Sequence, residues 1–283
     1  MNSKTILVVG ATGNQGGATV DALRATDFAV RALVRGGNSH KSAEGLRARG
    51  AEIVPGDLDD ADSLADAMRG AYGVFSAINF ANGGVALEEE RGKRVADVAS
   101  ASGVEHFVYS SVGGAERESG VPHFESKWRI EEHIRRIGLP HSIIRPTTFM
   151  ANLNEMPGLL RFVALSMSRS AMNDANPLQL IAIADIGRWA AHMFTHPAEY
   201  LGAAVEIAGD AVTFEQMIES YQQVYGRTPR SMSLPASWLL RGDAGRMFTW
   251  ISKEGYRADL ARNRAAIPDL LTFQRFLALR QPS

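Results

Sequence analysis

The chain has 283 residues, 45% of them hydrophobic and 22% charged, with a formal net charge of −1. That balance belongs to an ordinary globular protein with a sizeable core, one large domain or one and a half, and it argues against electrostatic capture of nucleic acid or an anionic membrane. The absence of cysteine excludes disulfides, thiolate metal sites and thiol catalysis, and no run approaches the roughly eighteen apolar residues that span a bilayer.

Residues 5–9, Thr-Ile-Leu-Val-Val, read as a buried strand, and residues 17–25 as a helix. A strand starting at Lys4 or Thr5 leaves no room for a signal peptide, so a cytoplasmic location is expected. Between strand and helix stands Gly10-Ala11-Thr12-Gly13-Asn14-Gln15-Gly16. A buried strand that turns sharply into a helix aims backbone N–H groups and the positive helix end at one point. Gly10 allows the tight turn, Gly13 lets the backbone approach phosphates, and Gly16 lets helix and strand pack closely. The pattern predicts a dinucleotide pyrophosphate held by residues 10–16; three glycines alone would also suit a surface turn.

Residues 28–34 form a second predicted strand, followed by a loop at 36–39, a helix over 39–49 and a third strand at 51–55. Gly56-Asp57-Leu58 comes next, then a helix over 60–69 and an almost unbroken apolar strand over 72–78, as in a sheet covered on both faces. Further helices are expected at 87–102 and 125–137, and strands at 104–110 and 140–145, the last stopped by Pro146. Glu88-Glu89-Glu90-Arg91, near a helix start, suits the dipole and reads as a solvated turn. Six strands alternating with five helices predict an α/β fold, a doubly wound parallel (Rossmann) sheet with strand order 3-2-1-4-5-6 and its ligand at the carboxyl ends near strands 1 and 4.

Residues 1–150 are therefore expected to form the dinucleotide-binding domain. Residues 151–283 are expected to form a smaller mixed α/β lobe that covers the cleft on the substrate side and intermingles with the sheet. Its predicted elements are a helix over 159–170, a strand over 178–183, a helix over 186–195 capped by Asp185, a strand over 204–208, and a helix over 214–225 capped by Thr213. A helical tail follows, carrying Trp238, Met247, Phe248, Trp250 and Tyr256.

About twenty residues after the glycines, an acidic residue would hold the 2′-hydroxyl of NAD. Here the segment after strand 2 has no acid before Glu44; Arg35 stands at the strand end, with Arg31, His40 and Lys41 close in sequence. A guanidinium there can pair bidentately with a 2′-phosphate, which favours NADP(H) over NAD(H), a solvated basic loop being the alternative. Asp57 could accept from the adenine amino group, with Leu58 beside it, or could simply form a turn after Gly56. The seven histidines show no metal-ligand spacing, so no metal site is expected. Arg135-Arg136 and the arginines at 227 and 230 are too small as basic spots to suggest nucleic acid.

Strand 5 ends in Ser110-Ser111, and the next helix carries His123 and Lys127, four apart and on one face if the helix starts early enough. In its Gly10/Gly13/Gly16 pattern, strand order and Lys127, the chain resembles the short-chain dehydrogenase/reductase family, in which Ser, Tyr and Lys act together. It departs where His123 takes the place of the Tyr. Arg35, Gly56-Asp57-Leu58, His123-Phe124-Glu125-Ser126-Lys127 and Arg145-Pro146-Thr147-Thr148-Phe149 together resemble the NmrA-like family of atypical short-chain dehydrogenases. Ile183-Ala184-Asp185-Ile186-Gly187 and Ala208-Gly209-Asp210 continue the likeness, which runs over residues 5–226.

The resemblance implies NADP(H) as cofactor and one of two activities. Some members reduce quinones or phenylpropanoid double bonds; others bind the dinucleotide without turnover and act as redox sensors for a regulatory protein partner. It also implies that Lys127 contacts the nicotinamide ribose, that Ala77 and Ile78 line the nicotinamide side, and that the backbone from Thr147 to Phe149 helps to hold the carboxamide. A reductase must place the acceptor carbon about 3–3.5 Å from the hydride donor and stabilise the developing anion. His123, with an ordinary pKa of about 6.5, could donate that proton, or be a half-exposed histidine at a helix start; Lys127 could act as the electrostatic partner. A flat acceptor also needs an apolar cleft, for which Phe80, Phe149 and Met150 are the candidates.

Overall fold

The computed structural model describes residues 3–36, 40–81, 83–156, 158–172, 177–233 and 242–280. Loop residues 37–39 and Trp238 lie outside the described residues, as do the side chains of His40 and Lys41. The chain divides into two compact units, one made of Met1–Val112, His123–Arg145 and Ile186–Val205, the other of Gly113–Pro122, Pro146–Asp185 and Glu206–Ser283.

The apolar runs of the first half form strands β1 (Thr5–Val9), β2 (Ala29–Val34), β3 (Glu52–Pro55), β4 (Gly73–Ser76), β5 (His106–Ser110) and β6 (His141–Pro146). Every neighbouring pair among them is parallel, which demands long crossovers. These are helices α1 (Asn14–Leu23), α2 (His40–Ala48), α3 (Ala61–Met68), α4 (Gly84–Ala101) and α5 (Pro122–Arg136). After them come β7 (Thr148–Phe149), α6 (Ala151–Asn154), α7 (Gly158–Ala171), β8 (Leu178–Ile181), α8 (Ile183–Thr195), α9 (Pro197–Tyr200), β9 (Ala204–Ile207), β10 (Asp210–Val212) and α10 (Phe214–Tyr225). The last described helices are α11 (Gly242–Lys253), α12 (Leu260–Ala266) and α13 (Phe273–Ala278).

The main sheet has the order β3-β2-β1-β4-β5-β6-β9, and a smaller sheet has the order β10-β8-β7. The expected six-strand order is present; β9 is a seventh strand beyond it. Its register with β6 is held by Gly202 N–H to the His141 carbonyl and Ile143 N–H to the Ala203 carbonyl. One face of the sheet packs Leu7, Val9, Val74, Phe107 and Ile143 against Leu64 and Met68 of α3, Val95 and Ala99 of α4, and Ile130 and Ile134 of α5. Each such side chain, fully buried, is worth about 1.5–3 kcal/mol.

Several helices begin earlier than the sequence pattern suggests. α4 starts at Gly84, so residues 88–91 are helical and not a turn. α5 starts at Pro122, whose fixed φ suits a first turn. Asp185 is not an N-cap: α8 begins at Ile183, and the buried Asp185 carboxylate instead accepts the Leu271 N–H at 2.8 Å.

One polar chain crosses the strand layer. The Ser142 hydroxyl donates to the Tyr200 carbonyl at 2.7 Å and lies 2.8 Å from His106 Nε2. With its one proton committed, Ser142 must accept from His106, which leaves Nδ1 buried without a partner among the described residues. Burial, and then the neighbouring His141, lower the His106 pKa from 6.5 to about 4. The unfolded chain therefore takes up a proton as pH falls below 6.5, and the folded chain does not until about 4. His106 stability is full above that window and lost within it, by about 3 kcal/mol at about 1.4 kcal/mol per pH unit. Urea unfolding at pH 7 and 4.5 should show a loss of about 2–3 kcal/mol in the wild type that His106→Gln does not share.

Candidate dinucleotide site at the carboxyl edge of the sheet

β1 ends at Val9, and Gly10 turns the chain with φ +80°. A Cβ there would lie 2.4 Å from the Ala77 carbonyl oxygen, so only glycine lets the ends of β1 and β4 come this close. The Gly10 carbonyl accepts the Gly13 N–H at 2.9 Å, closing the turn. α1 then starts with Gly13 as its N-cap, which makes no side-chain capping bond. The first N–H groups of a helix have no intrahelical acceptor, so this start keeps donors and the positive dipole end for an anion. Thr12, Gly13 and Asn14 are exposed and Gln15 half-buried. Gly16 is buried, and a Cβ on it would lie 2.1 Å from the Gly10 carbonyl oxygen and 2.8 Å from Ala11 Cα. An uncapped helix start over a cradle that a Cβ would fill fits a pyrophosphate.

Neighbouring strand ends complete the edge. Ser110 at the end of β5 donates to Gln15 Oε1 at 2.6 Å, tying the glycine turn to that strand. Ser111 is also buried, and its hydroxyl has no partner among the described residues. Arg35 follows β2 with its side chain 53% exposed, and its Nε lies 3.5 Å from Asp57 Oδ2 beyond β3. Asp57 Oδ1 also accepts the Asp59 N–H at 3.0 Å, as a turn-forming aspartate does. Arg31 does not join Arg35: its guanidinium is held by Glu52 and by the carbonyls of Ala67 and Arg69. Leu58 is half-buried, and its carbonyl accepts from Arg94 at 2.9 Å.

Ala77 and Ile78 follow β4, and Lys127 reaches them from α5. Its ammonium donates to the Ile78 carbonyl at 3.0 Å, lies 3.1 Å from Glu88 Oε1, and sits 5.7 Å from the centre of the Tyr109 ring. The fully buried Glu88 takes the Ser126 hydroxyl on its other oxygen at 2.6 Å. The four residues expected as a solvated turn therefore divide within α4. Glu88 faces inward, whereas Glu89 pairs with Lys93 and Arg129, Glu90 with Arg94, and Arg91 with Asp59. On α5, four residues after Lys127, Glu131 is likewise fully buried and bidentate to Arg145, with Arg135 as a second partner.

His123 does lie on the same helix as Lys127, half-buried, with its ring 4.8 Å from that of the exposed Phe80. Tyr109 brings a phenol near Lys127, but burial, and then Glu88 and Glu131, push its pKa well above 10. It stays protonated at neutral pH and does not supply an ionisable phenol beside Lys127.

In the second unit, Thr147 is buried and donates both its N–H and its hydroxyl to the Ile207 carbonyl, at 3.2 and 3.1 Å. Phe149 is half-buried in β7, which pairs with β8. Met150 is fully buried, so it offers no surface to an acceptor, contrary to the expectation for it. Among the described residues, no three acidic or histidine side chains are placed to hold a metal ion, and no helix is long and apolar enough to cross a membrane.

A model of the NmrA-like family matches residues 2–252. The chain belongs to the NmrA-like family. An NmrA-like family domain-containing oxidoreductase of Aspergillus hancockii is 31% identical over 259 residues, covering 83% of this chain and 76% of the relative. Among solved structures, an NADPH-dependent quinone oxidoreductase from Escherichia coli, complexed with NADPH, has a TM-score of 0.78 at 20% identity over 97% of this chain and 99% of that one. NmrA, a negative transcriptional regulator, in complex with NADP also has a TM-score of 0.78 at 20% identity, covering 98% and 95%; it is known with NAD as well. Within this NmrA-like chain, Glu88, Ser126 and Tyr109 are the residues around Lys127 that the sequence pattern did not mark. Only the spacing of Glu88 against its less buried neighbours, on a helix begun at Gly84, carried a signal.

Proposed function

We propose that this NmrA-like protein is an NADPH-dependent reductase of a small, flat, conjugated acceptor such as a quinone. The observation that carries the reading is Lys127, a buried ammonium at the end of β4 that donates to the Ile78 carbonyl and is paired with the buried Glu88. It stands on the same sheet edge as a helix start left open for phosphate. In this reading residues 10–16 hold the pyrophosphate, Arg35 the 2′-phosphate, Asp57 and Leu58 the adenine end, and Ala77, Ile78 and Lys127 the nicotinamide ribose end. Bound NADPH supplies the hydride. The protein's share is to orient the acceptor and to stabilise and protonate its oxygen, through Lys127 and His123. The oxidoreductase names of the relatives support the reading, as does the shared fold of the quinone oxidoreductase.

A second reading, an NADP(H) redox sensor acting on a protein partner, is favoured by one observation: His123 stands in the tyrosine position while the nearby Tyr109 is held protonated. Titration with NADPH and NADH, followed by the absorbance of bound NADPH as a panel of quinones is added, separates the two. Tighter binding of NADPH and its oxidation by at least one quinone is the expected result. Binding without oxidation by any acceptor would transfer the case to the sensor, and no binding of either nucleotide would remove both.

A further inference from the structure

We propose that Glu88 is a positioning residue for Lys127, holding its ammonium by a buried ion pair at the place where it meets the cofactor ribose. The inference rests on the reading of Lys127 given above. A lysine ammonium has three donors and no acceptor. One donor is taken by the Ile78 carbonyl at 3.0 Å, and Glu88 Oε1 lies 3.1 Å from the ammonium as its counter-charge, without a directed hydrogen bond. Both groups are rigidly placed. Ile78 follows a central strand, and the Glu88 carboxylate, with no solvent-exposed side-chain surface, is clamped through its other oxygen by Ser126, the residue before Lys127. The ammonium is thereby given a fixed place, which a free lysine on a flexible stem lacks.

Magnitudes favour a role beyond packing. A buried ion pair adds little to stability compared with apolar residues of the same volume, because desolvating the two charges offsets their attraction. Burying Glu88 beneath a helix surface is therefore a poor way to hold α4 on α5, where Val95 and Ile130 already pack. It is an effective way to keep a lysine ammonium in one place. The other ionisable groups in this layer leave the role to Glu88. Tyr109 from β5 is held protonated, and Glu131 is occupied by Arg145 from β6 and by Arg135 of its own helix.

The test is NADPH affinity for wild type, Glu88→Gln, Lys127→Met and the double variant, with a thermal melt of each without nucleotide. A glutamine in place of Glu88 removes the counter-charge from the ammonium and turns one of the two carboxylate oxygens into a donor. Loss of that charged partner predicts about tenfold weaker NADPH binding for Glu88→Gln. Added to Lys127→Met, Glu88→Gln should weaken NADPH binding no further, because Glu88 acts through the lysine. A structural role would lower the melting temperature and make the two losses additive, which would overturn the proposal. If Lys127→Met binds NADPH as wild type does, the reading of Lys127 itself falls and the role of Glu88 with it. Should Glu88→Gln fail to fold, Ser126→Ala, which frees the carboxylate without changing a charge, should weaken NADPH binding several-fold; unchanged affinity would count against Glu88.

Discussion

Gly16→Ala is expected to abolish measurable NADPH binding, a loss of at least about a hundredfold, and to lower the melting temperature. The three atoms nearest the new methyl all belong to the backbone: the Gly10 carbonyl oxygen at 2.1 Å, the Gly10 carbonyl carbon at 2.5 Å and Ala11 Cα at 2.8 Å. No rotamer change relieves such contacts, so α1 must move away from the turn. Overpacking of this kind costs about 1–3 kcal/mol in stability, while a displacement near 1 Å in a positioning element costs about a hundredfold in function. The proper control is Gly45→Ala in α2, where an added Cβ meets nothing within 4 Å. That variant should bind normally and gain about 0.5–1 kcal/mol of stability, since alanine is the better helix residue. Wild-type NADPH affinity in Gly16→Ala would show that the turn does not cradle phosphate.

The second large effect concerns the choice of nucleotide. Arg35→Ala should weaken NADPH binding by about ten- to a hundredfold, from the loss of a charge-assisted bond worth about 1.5–3 kcal/mol, and leave NADH within about twofold. In the structure Arg35 is paired with Asp57, but both side chains are substantially exposed. A pair of that kind is worth only about 0–1 kcal/mol, so exchanging it for a bidentate phosphate contact is favourable. Without Arg35, the Asp57 carboxylate faces the 2′-phosphate alone and repels it. Arg35→Ala combined with Asp57→Ala should therefore recover part of the lost NADPH affinity. Isothermal titration of both nucleotides against the three proteins decides the matter, and equal losses for NADPH and NADH would refute the assignment.

The sheet was legible because its central strands, β1, β4 and β5, are buried and read as apolar runs, and because glycines mark a turn that cannot tolerate side chains. What escaped the sequence depends on partners distant along the chain. β9 is short, and its place in the sheet is set by bonds between residues 202–207 and residues 141–147. Asp185 resembles a helix cap locally, yet its carboxylate is claimed by Leu271. Glu88 carries the same chemistry as Glu89 and Glu90 and differs only in facing Ser126 and Lys127. Pro122 was a readable signal for the early start of α5, and with it for His123 and Lys127 sharing one helix.

The interleaving of the two units constrains how the chain can be made. β6 ends at Pro146, and its outer neighbour β9 begins only at Ala204, about sixty residues later. At a synthesis rate of about 5–20 residues per second, the β6 edge waits roughly 3–12 seconds on the ribosome before its covering strand exists. An uncovered edge strand is a template for pairing with another chain. A shortened protein ending near residue 150 would never acquire that cover, so it should be captured by chaperones or aggregate where the full chain does not.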